Sequence, residues 1–246
     1  MATIVLVHGA WGGSYGFRDV RRLLSASGHE VFTPSLTGIG ERSHLASPDI
    51  SLSTHIQDVR NTIFYEDLDD ITLLGFSYGG MVVTGLLDAC GDHDVLGDRV
   101  RHLVFLDALV PADGQSAVDL LGPLGDALVD AANGEPIPPL PRELATPEAT
   151  AWSNARRARQ PLATFTEPVA LSKPLEEWNF TRTFIKASAD PSEADDSAFW
   201  HAARQAEASP AWNYHEIATN HMVPAMEPEE LTRLLEKLLL EGLAIR

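Results

Sequence analysis

A single cysteine, Cys90, stands among 246 residues, which excludes an intrachain disulfide framework and any metal site built from several cysteines. Positive charge is scarce as well. Lys and Arg number 18 against 35 Asp and Glu, a formal charge of -17, and a field of that sign repels nucleic-acid phosphates and anionic lipid surfaces. No apolar run approaches the roughly 20 residues that span a bilayer. The N-terminus passes from Met1-Ala2-Thr3 into Ile4-Val5-Leu6-Val7 without a basic segment, which reads as a core strand and not as a signal peptide. These absences set the expectations of a cytoplasmic protein with neither nucleic acid nor membrane as partner.

What is present is a hydrophobic fraction of 44% and a length sufficient for one large domain, or for a domain with an insertion. Strand-like runs at 4–7, 29–34, 71–76, 100–107, 181–187 and 212–217 alternate with helical patterns at 17–27, 54–66, 78–89, 197–206 and 228–240. Such alternation predicts a mostly parallel sheet of about six strands with helices on both faces. It breaks between residues 112 and 178, where short helical pieces are joined by proline-rich connectors such as Glu135-Pro136-Ile137-Pro138-Pro139. The expected organisation is therefore a core of 1–111 and 179–246 with a helical cap at 112–178. No repeat or low-complexity tract interrupts it.

One stretch concentrates chemistry. In Leu74-Gly75-Phe76-Ser77-Tyr78-Gly79-Gly80 an apolar strand meets glycines flanking a serine, the pattern of a strand–turn–helix elbow that exposes the serine oxygen. A serine hydroxyl needs a base, and the base needs a carboxylate to orient it. His221, in the loop after the last strand, is the expected base; the other eight histidines, His44 included, are better explained structurally. Asp190, just past the fifth strand, is placed first as the acid. Asp107, ending the strand after the serine turn, is the alternative, and Asp195 and Asp196 stand close enough to compete. The order Ser, Asp, His is that of the α/β-hydrolase arrangement.

The loop His8-Gly9-Ala10-Trp11-Gly12-Gly13 follows the first strand and lacks the G-x-G-x-x-G fingerprint. It offers instead the N–H of Ala10, which with that of Tyr78 would complete a pair of oxyanion donors. Trp11, Trp152, Phe165, Trp178 and Met222 are the expected substrate contacts, with Phe199 a further aromatic candidate.

His8-Gly9-Ala10-Trp11, Gly75-Phe76-Ser77-Tyr78-Gly79-Gly80, Leu106-Asp107-Ala108 and Asn220-His221-Met222 together resemble the α/β-hydrolase superfamily, in particular the branch of plant methyl-ester hydrolases, hydroxynitrile lyases and small bacterial aryl and pyrethroid-type carboxylesterases. The resemblance implies an α/β-hydrolase fold with a helical cap, a Ser-Asp-His triad and no cofactor. Lyases of this branch carry threonine in the oxyanion loop and lysine after the histidine. Here Ala10 and Met222 hold those places, so the resemblance favours hydrolysis of a small apolar or aromatic ester. A lyase or carbon–carbon cleaving activity is the alternative on the same scaffold, and a non-catalytic small-ligand binder is the alternative outside it. Phe76 stands where relatives often carry histidine and is expected to point away from the reacting atoms. A homodimer is left open.

Overall fold

The computed structural model describes residues 1–89 and 96–243; Cys90 and His93 lie outside the described residues. Six strands, β1 (Thr3–Val7), β2 (Glu30–Phe32), β3 (Ile71–Phe76), β4 (Val100–Leu106), β5 (Thr181–Ala187) and β6 (Asn213–Ile217), form one parallel sheet in the order β2-β1-β3-β4-β5-β6. The chain starts at β1, steps to the edge at β2, then returns across β1 to β3 and moves outward the other way. That reversal opens a crevice at the carboxyl ends of β1 and β3, where ligands of open α/β sheets bind. β2, expected to be six residues long, is only three, since as an edge strand it pairs with β1 alone, from Thr3↔Glu30 to Val5↔Phe32.

Period-two alternation sorts the strand side chains into two apolar layers. Ile4, Leu6, Leu74, Val104, Leu106 and Ile185 face α1 (Arg18–Ala26) and the last helix (Pro228–Leu243). Val5, Val7, Leu73, Leu103, Phe105 and Phe184 face α2 (Leu52–Tyr65) and α3 (Gly79–Leu86), on the side that also receives the inserted segment. β3 is buried at all six positions, as a central strand covered on both faces must be.

Between β4 and β5 the chain forms α4 (Ala117–Leu121), α5 (Pro123–Ala132), α6 (Pro147–Asn154) and α7 (Ala163–Thr166). Ser116 and Asp119 cap α4 reciprocally, and Gly122 at φ 54° turns the chain into α5, which Pro123 opens. The proline-rich connector contributes one antiparallel bridge, Ile137↔Gln160. After β5 come α8 (Ala198–Ala208), α9 (Val223–Met226) and α10 (Pro228–Leu243). No helix of the described residues is long and apolar enough to cross a membrane.

Candidate active site

Ser77 sits on the turn between β3 and α3 with φ 56°, a left-handed backbone that non-glycine residues rarely hold and that clusters at functional sites. The turn closes only because side chains are missing around it: a Cβ on Gly79 would lie 2.5 Å from Val7 O, and one on Gly9 would lie 2.8 Å from Ser77 Cβ. These close approaches bring the loop after β1 against the serine. Ala10 lines the cavity beside Ser77 and Tyr78 follows it in the chain, and neither backbone N–H donates a turn, loop or cap hydrogen bond to the backbone among the described residues. Tyr78 N–H stands at the start of α3, where the orphan donors and dipole of a helix N-terminus favour negative charge.

His221 reaches Ser77 from beyond β6. Its Nε2 lies 2.9 Å from Ser77 Oγ and its Nδ1 2.6 Å from Asp107 Oδ2. With the Asp107 carboxylate ionised, Nδ1–H donates to it and Nε2 is left to accept from the serine hydroxyl. The expected first choice of acid is thereby corrected. Asp190 does not touch the ring; its Oδ2 accepts the backbone N–H of His221 at 3.0 Å, and its Oδ1 accepts the N–H and hydroxyl of Ser192. Strand order explains the exchange. Asp107 follows β4, which lies beside β3, whereas Asp190 follows β5, one strand further out, where the His221 loop passes with its main chain.

Asp107 is fully buried, and burial by itself pushes its pKa up. The hydrogen bond and charge of His221, aided by the Lys186 ammonium, outweigh burial and hold the carboxyl below the usual range. Lys186 is likewise fully buried. Its Nζ lies 2.8 Å from Asp107 Oδ1 and 2.7 Å from Glu193 Oε2, donates to Ala187 O at 2.6 Å, and stands 4.5 Å from the Trp200 ring centroid. Ser197 Oγ donates to the other oxygen of Glu193. A lysine inside the apolar run Phe184-Ile185-Lys186-Ala187 is the sequence signal that could have revealed this support.

The loop after β1 is braced from two sides. His8 donates from Nδ1 to Gly9 O at 2.9 Å and accepts Leu36 N–H at Nε2 at 3.2 Å; burial lowers its pKa, which suits this neutral tautomer. Trp11, at φ 61°, is tied to the inserted segment at three points. Its N–H donates to Gln160 Oε1 at 2.9 Å, its indole N–H to Ile137 O at 3.1 Å, and its carbonyl accepts Ala158 N–H at 2.9 Å. Gln160 is fully buried and its amide nitrogen is taken by Thr164 Oγ1 at 2.7 Å. Nothing local in the sequence marks Gln160, because its partner is 149 residues away.

A cavity of about 230 Å³ opens onto Ser77 and His221, lined by Trp11, Trp152 and Met222 among others. Phe165 and Trp178 do not line it. Phe165 stacks on Tyr78 with centroids 5.5 Å apart, beneath the site, and Trp178 packs over Gly97, where a Cβ would lie 2.2 Å from the indole. Both are core residues because aromatic bulk fills the seam between the inserted segment and the sheet. Phe76 also departs from expectation. Its ring lies 5.0 Å from that of His221 and it lines the cavity. Phe199 also packs against the imidazole, with centroids 4.9 Å apart, and lines a second, wider cavity of about 850 Å³. Among the described residues no group of three His, Cys, Asp or Glu is placed to hold a metal ion.

The comparisons agree with this fold. A family model described as Alpha/beta hydrolase family matches residues 4–234. A carbendazim hydrolyzing esterase of Nocardioides sp. (strain SG-4G) is 36% identical over 253 aligned positions, covering 97% of this chain and 100% of that protein. Among solved structures, an extracellular α/β-hydrolase from a Paenibacillus species superposes with a TM-score of 0.81 at 23% identity, covering 96% of this chain and 98% of the other. A pyrethroid hydrolase superposes at 0.67 with 18% identity and 97% coverage of each chain.

Proposed function

The chain belongs to the α/β-hydrolase family, and on that premise we propose that it is a cytoplasmic, serine-dependent carboxylic ester hydrolase. The observation that carries the reading is the continuous line Ser77 Oγ, His221 Nε2, His221 Nδ1, Asp107 Oδ2, with contacts of 2.9 and 2.6 Å. Ser77 Oγ attacks the ester carbonyl carbon as His221 Nε2 takes its proton, and Asp107 stabilises the imidazolium that results. Negative charge gathering on the carbonyl oxygen meets the N–H groups of Ala10 and Tyr78, donors already fixed before the reaction begins. Collapse breaks the bond to the alcohol, which leaves with the proton from His221. A water deprotonated by His221 then splits the acyl-enzyme, returning Ser77 and releasing the acid.

The relative named for hydrolysing carbendazim, together with Trp11 and Trp152 in the cavity wall, supports a small ester with an apolar or aromatic part. Ala10 and Met222 border the reacting centre, leaving no lysine at the position after His221. Ser77→Ala is expected to lower kcat by about 10⁶-fold and to end labelling by a fluorophosphonate probe. Unchanged turnover in that variant would remove the nucleophile assignment. Turnover of cyanohydrins but of no ester by the wild type would move the chain to the lyases, and a wild type that neither labels nor turns over esters would be a binding protein.

A further inference from the structure

The cavity beside Ser77 contains a cation that ester hydrolysis does not require. Arg18, Arg142 and Arg157 line it together with one carboxylate, Asp19, which Arg18 pairs at 3.4 Å; neither Arg142 nor Arg157 forms an ion pair with a carboxylate among the described residues. This is unusual in a chain with 35 acidic and 18 basic residues. Arg18 and Arg22 share Asp19, and Arg42 holds Asp58. The Nε of Arg157 is buried with no hydrogen-bond partner, and the guanidinium lies 5.6 Å from the Trp11 ring centroid. Burial, and secondarily the charge of Arg142, lower the pKa of Arg157 to about 10, so it remains a cation at neutral pH. Arg142 is also felt by Asp190 through space, which leaves Arg157 the less compensated of the two.

A partly buried cation without a counterion is costly, and a bound anion recovers part of that cost, because charges in a cavity are screened less than in water. Trp152 forms an apolar part of the same wall. The guanidiniums of Arg18 and Arg156 lie over its ring at 4.6 and 4.0 Å and Tyr15 stands edge-on at 5.7 Å, so the indole is held in place before a ligand arrives. We propose that the preferred substrates are aromatic esters bearing a second, ionised carboxylate, which Arg157 binds while Arg142 adds to the field. The proposal rests on the ester-hydrolase reading for its chemistry but not for its binding step, and the two are tested separately.

Binding is read by calorimetry in the Ser77→Ala protein, with monomethyl terephthalate against methyl benzoate and 4-acetoxybenzoate against phenyl acetate. The two pairs carry the charge on the acyl and the alcohol side in turn. At least one anionic ester should bind about 10-fold or more tightly than its neutral partner, the scale of a charge-assisted hydrogen bond. Arg157→Gln in the same background should erase that preference and Arg157→Lys should retain part of it. A preference that survives Arg157→Gln, no preference in either pair, or no measurable binding of either anionic ester overturns the proposal and leaves Arg157 as a packing partner of Trp11. The hydrolase reading fails by a different result: esters bind, yet the wild type neither cleaves them nor labels with fluorophosphonate.

Discussion

The ends of β4 and β5 each present an aspartate to His221, and the two touch different atoms of it. Asp107 faces the imidazole from a fully buried position, shared with Lys186. Asp190 is partly exposed and holds only the main chain of the same residue. A carboxylate on the ring selects the tautomer and stabilises charge during the reaction; one on the backbone restrains the loop. The lesson is that nearness in space to a base is not a role. Which atom is touched decides it.

Asp107→Asn gives the sharpest break in this comparison. An asparagine keeps the shape but can present its amide to Nδ1 and favour the wrong tautomer, so kcat should fall by about 10⁴-fold with little change in KM. A loss confined to Asp190→Asn would reverse the assignment.

Lys186→Met probes what stands behind Asp107. Removing one partner from a buried ion network leaves uncompensated charge on Asp107 and Glu193, and a stability loss of about 3–5 kcal/mol is expected in thermal or denaturant unfolding. The pH dependence has a definite sign. The depressed pKa of Asp107 contributes stability that is present above the unfolded carboxyl value of about 4 and lost as pH falls through the folded one. Without Lys186 the folded pKa rises, so the acid limbs of both stability and kcat/KM should move to higher pH. Unmoved limbs would make Lys186 a filler and not a support.

Gln160→Leu tests the oxyanion loop from the side of the inserted segment. Trp11 N–H would lose its acceptor while buried, a cost of about 1–3 kcal/mol, and a displaced Ala10 N–H should lower kcat more than it raises KM. Equal effects on both would place the change in binding. Smallest is Asp190→Asn, which keeps an acceptor for His221 N–H and should cost less than about 1 kcal/mol in stability and only a few-fold in kcat.

The elbow, the six strands and the positions of Ser77 and His221 were legible because each depends on residues close in sequence: an apolar run, glycines that permit a tight turn, a loop after a strand. The acid could not be decided, since Asp107 and Asp190 both end strands and only the lateral order β3-β4-β5 separates their reach. Aromatic residues of the inserted segment were equally ambiguous. Phe165 and Trp152 look alike as side chains, yet one stacks beneath the site and the other lines the cavity.

Sequence alone determined the family resemblance, the serine turn and the place of His221 in the loop after the last strand, through short-range constraints that any fold built on this chain must obey. Tertiary structure alone decided that Asp107 meets the ring, that Lys186 stands behind Asp107 and Gln160 behind Trp11, and that Arg157 lines the cavity without an ion-pair partner among the described residues. Those contacts join residues up to 149 positions apart. They depend on where strands and inserted helices come to rest beside one another, and no local pattern encodes that.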